Sequence, residues 1–324
     1  MIRQSGGAPG GDTESSGRGD EVLDAASSLH PWGAPPGVRG ALLRALSAAE
    51  QYPPTIEPLR EALRGRLGVR VTVGGGATEL LVAHFRGCRR VVLEPPCPRA
   101  YVDAADAARV PVVYREVLQQ GDCAVIGRPN SPDGRTPSVS EIAKLAVRYP
   151  SVRVVVDESL LGFTSEASAV GLTAVASNVA VVASMSKTFA IAGLRLGWTT
   201  GLPRGAVTPA AVNAFAIAAG LACVEAWDWP LRPPLDAWRR VLTEDLRALP
   251  GVLDVRGAAN VLLVRLAGPW STSLHARLRR EGILIRDASD LPGLDAHYLR
   301  IAVRAAPENA RVVSALGAAL LDLC

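Results

Sequence analysis

Histidine and cysteine are both scarce here, and neither is spaced to hold a metal. The chain has four histidines and five cysteines in 324 residues. No His-Glu-x-x-His pair is present, which argues against a zinc site. Cys88, Cys97, Cys123, Cys223 and Cys324 are odd in number and scattered, which predicts free thiols in a reducing compartment. A dominant charge is lacking as well. There are 35 Lys+Arg against 31 Asp+Glu, a net +4, and the arginines are spread along the chain. That argues against the basic stripe of a nucleic-acid surface and suits small anionic ligands. No apolar run reaches the roughly 18 residues of a membrane span, and the N-terminus lacks a basic-then-apolar signal. The expectation is a cytoplasmic protein without nucleic-acid or membrane partners. No internal repeat is visible.

What is present is globular: 48% hydrophobic and 20% charged residues. That is enough chain for one large domain and a smaller one. Residues 1–20 are rich in Gly, Ser and Asp and read as a tail. Apolar spacing predicts helices over 37–49, 56–67 (Pro58 in the first turn), 77–85, 100–108, 139–149, 172–177 and 207–229. Short apolar runs predict strands at 69–73, 90–93, 110–114, 123–126, 152–156, 179–183 and 196–199. This alternation implies an α/β fold with a mostly parallel sheet covered on both faces. Pro230 to Pro234 is a breaker cluster and a predicted hinge. Beyond it, a helix over 235–249 precedes strand 261–266, helix 274–281, strands 283–286 and 299–303, and helix 307–323. That order fits a smaller α/β domain.

The chemistry concentrates at Ser184-Met185-Ser186-Lys187, followed eight residues later by Arg195. The lysine would stand at the end of a buried strand. There it can form a Schiff base with an aldehyde, provided burial or nearby positive charge keeps its amine partly neutral. Ser184, Ser186 and Arg195 offer donors for an anionic phosphate. Gly74-Gly75-Gly76-Ala77-Thr78 opens a helix whose N-terminus can hold phosphate, although such turns are often only turns. Asp157 ends another strand, where it either faces a protonated pyridine nitrogen or caps the next turn. Pro129-Asn130-Ser131-Pro132-Asp133-Gly134 is either a cofactor-contacting loop or a plain surface turn.

In order and spacing, these pieces resemble the fold-type I pyridoxal-phosphate enzymes of the aspartate aminotransferase superfamily. The chain looks like the branch holding histidinol-phosphate aminotransferase and the cobalamin-pathway threonine-phosphate decarboxylases. The resemblance runs from about Val22 to the C-terminus. It is nearer the decarboxylases through Ile285-Arg286-Asp287-Ala288-Ser289-Asp290-Leu291-Pro292-Gly293-Leu294, then Arg300-Ile301-Ala302-Val303-Arg304 and Glu308-Asn309. The start, His30-Pro31-Trp32-Gly33-Ala34-Pro35-Pro36 and Gln51-Tyr52-Pro53, is similar to their NPLGPP and YP motifs.

The resemblance implies a large domain with a seven-stranded-type sheet over 37–230 and a small domain over 235–324. Residues 21–36 would be an arm serving the small domain and the active site. It implies Lys187 as the Schiff-base lysine and Asp157 as the pyridine partner. Gly76, Ala77, Thr78, Ser184 and Arg195 would hold the phosphate of pyridoxal 5'-phosphate. Tyr52 would reach the phosphate of a neighbouring subunit, so a homodimer with shared sites is expected. Arg300 would bind a substrate anion, with Arg286 a second candidate; either could instead be a structural ion pair. His30 and Asn130 are further substrate-facing candidates.

Four positions depart from the pattern. Ser131 stands where the family has the Asn that contacts the cofactor phenolate. Leu160 replaces an aromatic residue, Cys97 replaces the ring-stacking aromatic, and His30 replaces Asn. Loss of the stacked ring predicts cofactor binding weaker by roughly 1 kcal/mol. The resemblance leads to a decarboxylase of a phosphorylated amino acid such as threonine phosphate. The alternatives are an aminotransferase of the histidinol-phosphate type, an enzyme of a specialised pathway using another amino acid, and a cofactor-poor binding protein.

Overall fold

The computed structural model describes residues 22–323 except 54, 204, 209, 210 and 230–233. The tail at 1–20, most of the hinge cluster and Cys324 lie outside the described residues. In chain order, β1 (Leu23–Asp24) leads to α1 (Pro36–Arg44) and α2 (Glu57–Leu67). Then follow β2 (Thr72–Gly74), α3 (Ala77–Phe85), β3 (Val91–Leu93), α4 (Arg99–Ala108), β4 (Val112–Tyr114) and β5 (Cys123–Gly127). Next come α5 (Val139–Arg148), β6 (Arg153–Asp157), β7 (Val179–Ser184), α6 (Met185–Thr188), β8 (Gly197–Thr199) and α7 (Ala214–Glu225). The remainder is α8 (Leu235–Arg247), β9 (Val252–Ala258), β10 (Val261–Leu266), α9 (Ser271–Arg280), β11 (Ile283–Leu284), β12 (Arg286–Asp287), β13 (Tyr298–Ala302) and α10 (Ala306–Leu321).

Seven strands form one sheet in the order β2-β8-β7-β6-β5-β3-β4. Only β8 runs against its neighbours, so the sheet is mostly parallel. The alternation of Cβ directions explains its unbroken valine runs. Val154, Val156 and Val181 enter a core with Leu59, Ile142 and Trp198. Val155 and Val182 enter the opposite core with Leu80, Phe85 and Tyr101. Each fully buried Val or Leu contributes about 1.5–3 kcal/mol relative to exposure. A four-stranded antiparallel sheet, β12-β13-β10-β9, and the pair β1-β11 surround a further core. Leu160 and Phe163, from the loop after β6, are buried in that same core.

Local signals explain the helix limits. The side-chain oxygen of Ser138 accepts from Glu141 N at 3.2 Å, while Glu141 accepts from Ser138 N at 2.7 Å, so α5 starts in a capping box. Pro58 lies in the first turn of α2, and Gly68, at φ +74°, ends it with its N–H on Arg64 O at 2.9 Å.

Several expected limits are corrected. The helix over 37–49 stops at Arg44 and continues as a 3-10 turn, Leu46–Glu50. The helix at 172–177 is instead a 3-10 run, Ala169–Ala174, started by Ser168 accepting from Val170 N. The long helix over 207–229 begins only at Ala214, because Asn213 Oδ1 caps Ala216 N at 2.8 Å. The strand over 283–286 is two pieces in different sheets, β11 and β12, with Ile285 buried between them. β1 and β9 were absent from the sequence reading. Each lacks a strong apolar run, and pairing partners alone make them strands.

Candidate active site

Strand β7 carries the apolar run up to the reactive segment, and Ser184 turns it into the single turn of α6. Ser184 Oγ accepts from Ser186 N at 3.2 Å, and Thr188 Oγ1 donates to Ser184 O at 3.1 Å. Lys187 therefore projects from a pinned turn at the carboxyl edge of the parallel sheet, where α/β folds place ligands. Its amine is held below the usual lysine range, chiefly by burial, with Arg300 and Arg195 adding to the effect and Asp157 opposing it. That brings three other residues singled out in the sequence within electrostatic reach of Lys187. The backbone of His30 joins them, its N–H donating to Lys187 O at 3.0 Å.

Asp157, at the end of β6, accepts from Ser159 N at 2.9 Å and from the Tyr101 hydroxyl at 2.9 Å. Burial, then the Asp157 charge, pushes the Tyr101 phenol well above its usual range, so it stays a donor. Tyr101 was passed over in the sequence as a residue of a predicted helix. Its position in the first turn after Pro95-Pro96-Cys97-Pro98 was the only available hint.

The start of α3 leaves backbone donors without a side-chain cap, while Gly75 N–H is taken by the Glu79 carboxylate. Gly76 has φ +102°, and no side chain caps the helix. A Cβ on Gly76 would lie 2.7 Å from Arg195 Nη2, so the guanidinium rests against this glycine. The first-turn N–H groups at Ala77 and Thr78 have no partner within the helix. Gly197 completes the close approach, since a Cβ there would come within 3.0 Å of Ala77 N. Arg195 itself is left-handed, at φ +54°, a conformation uncommon outside glycine. Ser186 Oγ is buried and has no hydrogen-bond partner among the described residues.

Arg300 and Arg286 are register partners on β13 and β12. Arg300 donates to Ala26 O at 2.7 Å and to Ser131 Oγ at 3.2 Å, while its buried Nε has no partner among the described residues. Burial, reinforced by Arg286, brings its pKa down to about 10, low for a guanidinium. Arg286 is bidentate to Asp290, 2.7 Å to each oxygen.

The remaining candidates are placed differently. Both donors of the Asn130 amide are taken, by Pro96 O at 2.8 Å and Asp133 Oδ1 at 2.6 Å, so its amide holds the loop. Cys97 is buried, and burial pushes its thiol up to about 12. It borders a cavity of about 200 Å³ with Tyr101, Gly127 and Asn130. His30 is buried and stacks on Phe163, 5.9 Å between centroids. Tyr52 is 98% exposed and lies outside this chain's own cluster. A larger cavity, about 430 Å³, opens beside the β7–α6 turn among Glu158, Ser184, Met185, Thr188 and Trp198, and Lys187 does not line it.

A family profile described as aminotransferase class I and II matches residues 31–227. The chain belongs to this family. Its members depend on pyridoxal phosphate, and the chain is accordingly a pyridoxal-phosphate-dependent enzyme of the decarboxylase or aminotransferase kind. The chain is 29% identical to threonine-phosphate decarboxylase of Salmonella typhimurium, covering 92% of this chain and 91% of that protein. It is 32% identical to histidinol-phosphate aminotransferase 1 of Trichormus variabilis, covering 92% of each. Among solved structures, L-threonine-O-3-phosphate decarboxylase from Porphyromonas gingivalis superposes with a TM-score of 0.84 at 26% identity, over 92% of this chain and 99% of that one.

The residues present fit the family's cofactor. The uncapped α3 start, the Arg195 guanidinium against Gly76 and the orphaned Ser186 hydroxyl are donors that suit a phosphate. Asp157, fixed by Tyr101, is an anion that suits a protonated ring nitrogen.

Proposed function

We propose that this enzyme decarboxylates a phosphorylated amino acid of the threonine-phosphate type. The observation that carries the reading is the buried Arg300 guanidinium within electrostatic reach of Lys187, its Nε without a partner among the described residues. Arg286, its register partner, is held by Asp290 and would act as a second, partly compensated cation for a dianionic phosphate. The likeness to threonine-phosphate decarboxylases supports it.

Bound pyridoxal phosphate supplies an aldehyde for the lysine amine and a ring that accepts the electron pair released at the substrate's α-carbon. We assign the phosphate to Gly76, Ala77, Thr78, Ser184, Ser186 and Arg195, and the ring nitrogen to Asp157. Tyr101 keeps the Asp157 carboxylate oriented and dry. Lys187, whose amine burial holds below the usual lysine range, would hold the cofactor aldehyde and, once free of it, would hold a proton for the substrate's α-carbon. Arg300, assisted by Arg286, decides which substrate group stays fixed. Gripping the phosphate leaves the carboxylate free to depart as CO₂; gripping the carboxylate leaves the α-hydrogen as the group to be removed. Residues 37–230 would then hold the cofactor. Residues 21–36 and 235–324 would hold the substrate, and Tyr52 would complete the phosphate site of a second copy in a homodimer.

Incubation with threonine phosphate tests the proposal, beside histidinol phosphate and common amino acids. CO₂ release with threonine phosphate is expected. The second reading, a histidinol-phosphate aminotransferase, has support in the 32% identity to such an enzyme. Pyridoxamine phosphate formed with histidinol phosphate, without CO₂ from threonine phosphate, would replace the first reading by the second.

A further inference from the structure

A second reactive cluster lies at the end of β6 opposite Asp157. Arg153 begins β6, and its register partner on β5 is Cys123. The turn after α3 brings Cys88 to the same place. Arg89 N donates to Gly121 O at 2.8 Å and Cys123 N to Arg90 O at 2.9 Å, tying segment 88–90 to 121–123. Cys88 Sγ donates to His84 O at 3.4 Å, and Arg153 Nη1 lies 3.6 Å from Cys88 Sγ. Cys88 packs against the buried cluster that holds Cys123.

The pair is asymmetric. Cys88 is half-buried and Cys123 is fully buried. Its interaction with Cys123, with help from Arg153, draws the Cys88 thiol below its usual range. The same interaction, with burial, pushes Cys123 well above it. An accessible, thiolate-prone cysteine beside a second thiol is the arrangement that oxidants select. Cys97 and Cys223 are buried, and burial pushes each up to about 12, so they serve as internal controls.

We propose that Cys88 and Cys123 form a peroxide-sensitive redox pair, with Cys88 oxidised first and Cys123 closing an intramolecular disulfide. The Cys88 thiolate attacks one oxygen of hydrogen peroxide. The O–O bond breaks, and the departing hydroxide combines with the proton released when the Cys88 thiol ionised and leaves as water. The sulfenic acid so formed is attacked by the Cys123 sulfur. The S–O bond breaks, and a second water leaves carrying the Cys123 proton. Two thiols and one peroxide thus become one disulfide and two waters. Arg153 stabilises the attacking thiolate, and the tethered 88–90 turn keeps the resolving sulfur in reach. This pair is independent of which amino acid the active site accepts.

The test treats the cofactor-loaded enzyme with hydrogen peroxide, blocks remaining thiols with iodoacetamide and maps peptides without reductant. A Cys88–Cys123 cross-linked peptide is expected, lost after dithiothreitol, with Cys97 and Cys223 still reduced. Before oxidation, Cys88 should alkylate at least about tenfold faster than Cys97 or Cys223. Cys123→Ser should abolish the cross-link yet leave Cys88 trapped by dimedone as a sulfenic acid. Cys88→Ser should leave Cys123 reduced. Oxidation of Cys97 or Cys223 as fast as Cys88, or absence of both cross-link and dimedone adduct, overturns the proposal. So does a cross-link found only between chains.

Discussion

In its proposed role Lys187 answers two opposing demands: burial must lower its amine from the usual lysine range, yet an anion must lie close by to hold the cofactor ring. Burial, Arg195 and Arg300 act in the first direction and Asp157 in the second, and burial wins. Lys187→Ala should therefore abolish the visible absorbance that pyridoxal phosphate acquires on the enzyme; a surviving band would remove Lys187 from its role. Arg300 is the other decisive residue. Its Nη atoms are tied to Ala26 O and Ser131 Oγ, which aims the group without neutralising it. Arg300→Ala should raise KM by tenfold to about a hundredfold, the factor for roughly 1.5–3 kcal/mol of charge-assisted hydrogen bonding, while cofactor absorbance is unchanged. Steady-state kinetics showing an unaltered KM would exclude it from substrate binding. Ser131, read in the sequence as a cofactor-binding candidate that replaces the family's Asn, is an acceptor for this arginine. A distance of 169 residues separates the two, so no local pattern could link them.

In the proposed site, helix α3 is the element that holds the cofactor phosphate. Its N-terminus forms the cradle, and Gly76→Ala would bring a methyl group to 2.7 Å from Arg195 Nη2 at φ +102°. We expect this variant to bind pyridoxal phosphate at least about tenfold more weakly, given a backbone penalty of order 1–3 kcal/mol; a fluorescence titration matching the parent would contradict the cradle. Its other end carries His84, buried against Thr199 with Nε2 2.8 Å from Oγ1. Burial, then the Arg153 charge, lowers its pKa from 6.5 to about 4. Between those values the unfolded chain binds more protons than the native one, so stability is lost as pH falls from 6.5 through 4. His84→Gln should lack this loss, which amounts to about 3 kcal/mol. Urea midpoints that fall in parallel for both proteins over that range would refute it. The limits of α3 were legible in the sequence because glycines and apolar spacing are local; the fate of His84 was not, because burial is a property of the packed molecule.

On the scale of the whole molecule, the substrate side of the site exists only because separate sheets meet. The loop after β5 touches β9 so closely that a Cβ on Gly134, at φ +77°, would lie 2.3 Å from Ala258 N. Gly134→Ala should destabilise the protein by more than about 1 kcal/mol and raise KM, by displacing Ser131 from Arg300. A thermal melt and KM both matching the parent would show that this contact does not position the arginine. No helix among the described residues is long and apolar enough to cross a membrane.

The sequence by itself determined the alternation of strands and helices, the mostly parallel sheet and the lysine turn. These follow from hydrophobic period, glycine freedom and motif spacing, all of which act over a few residues. Tertiary structure alone decided the Tyr101 clamp on Asp157, the split of 283–286 between two sheets, and the union of Arg300 with Lys187. Each of those depends on which distant surfaces bury one another, and burial is what sets both the strand partners and the protonation of the groups between them.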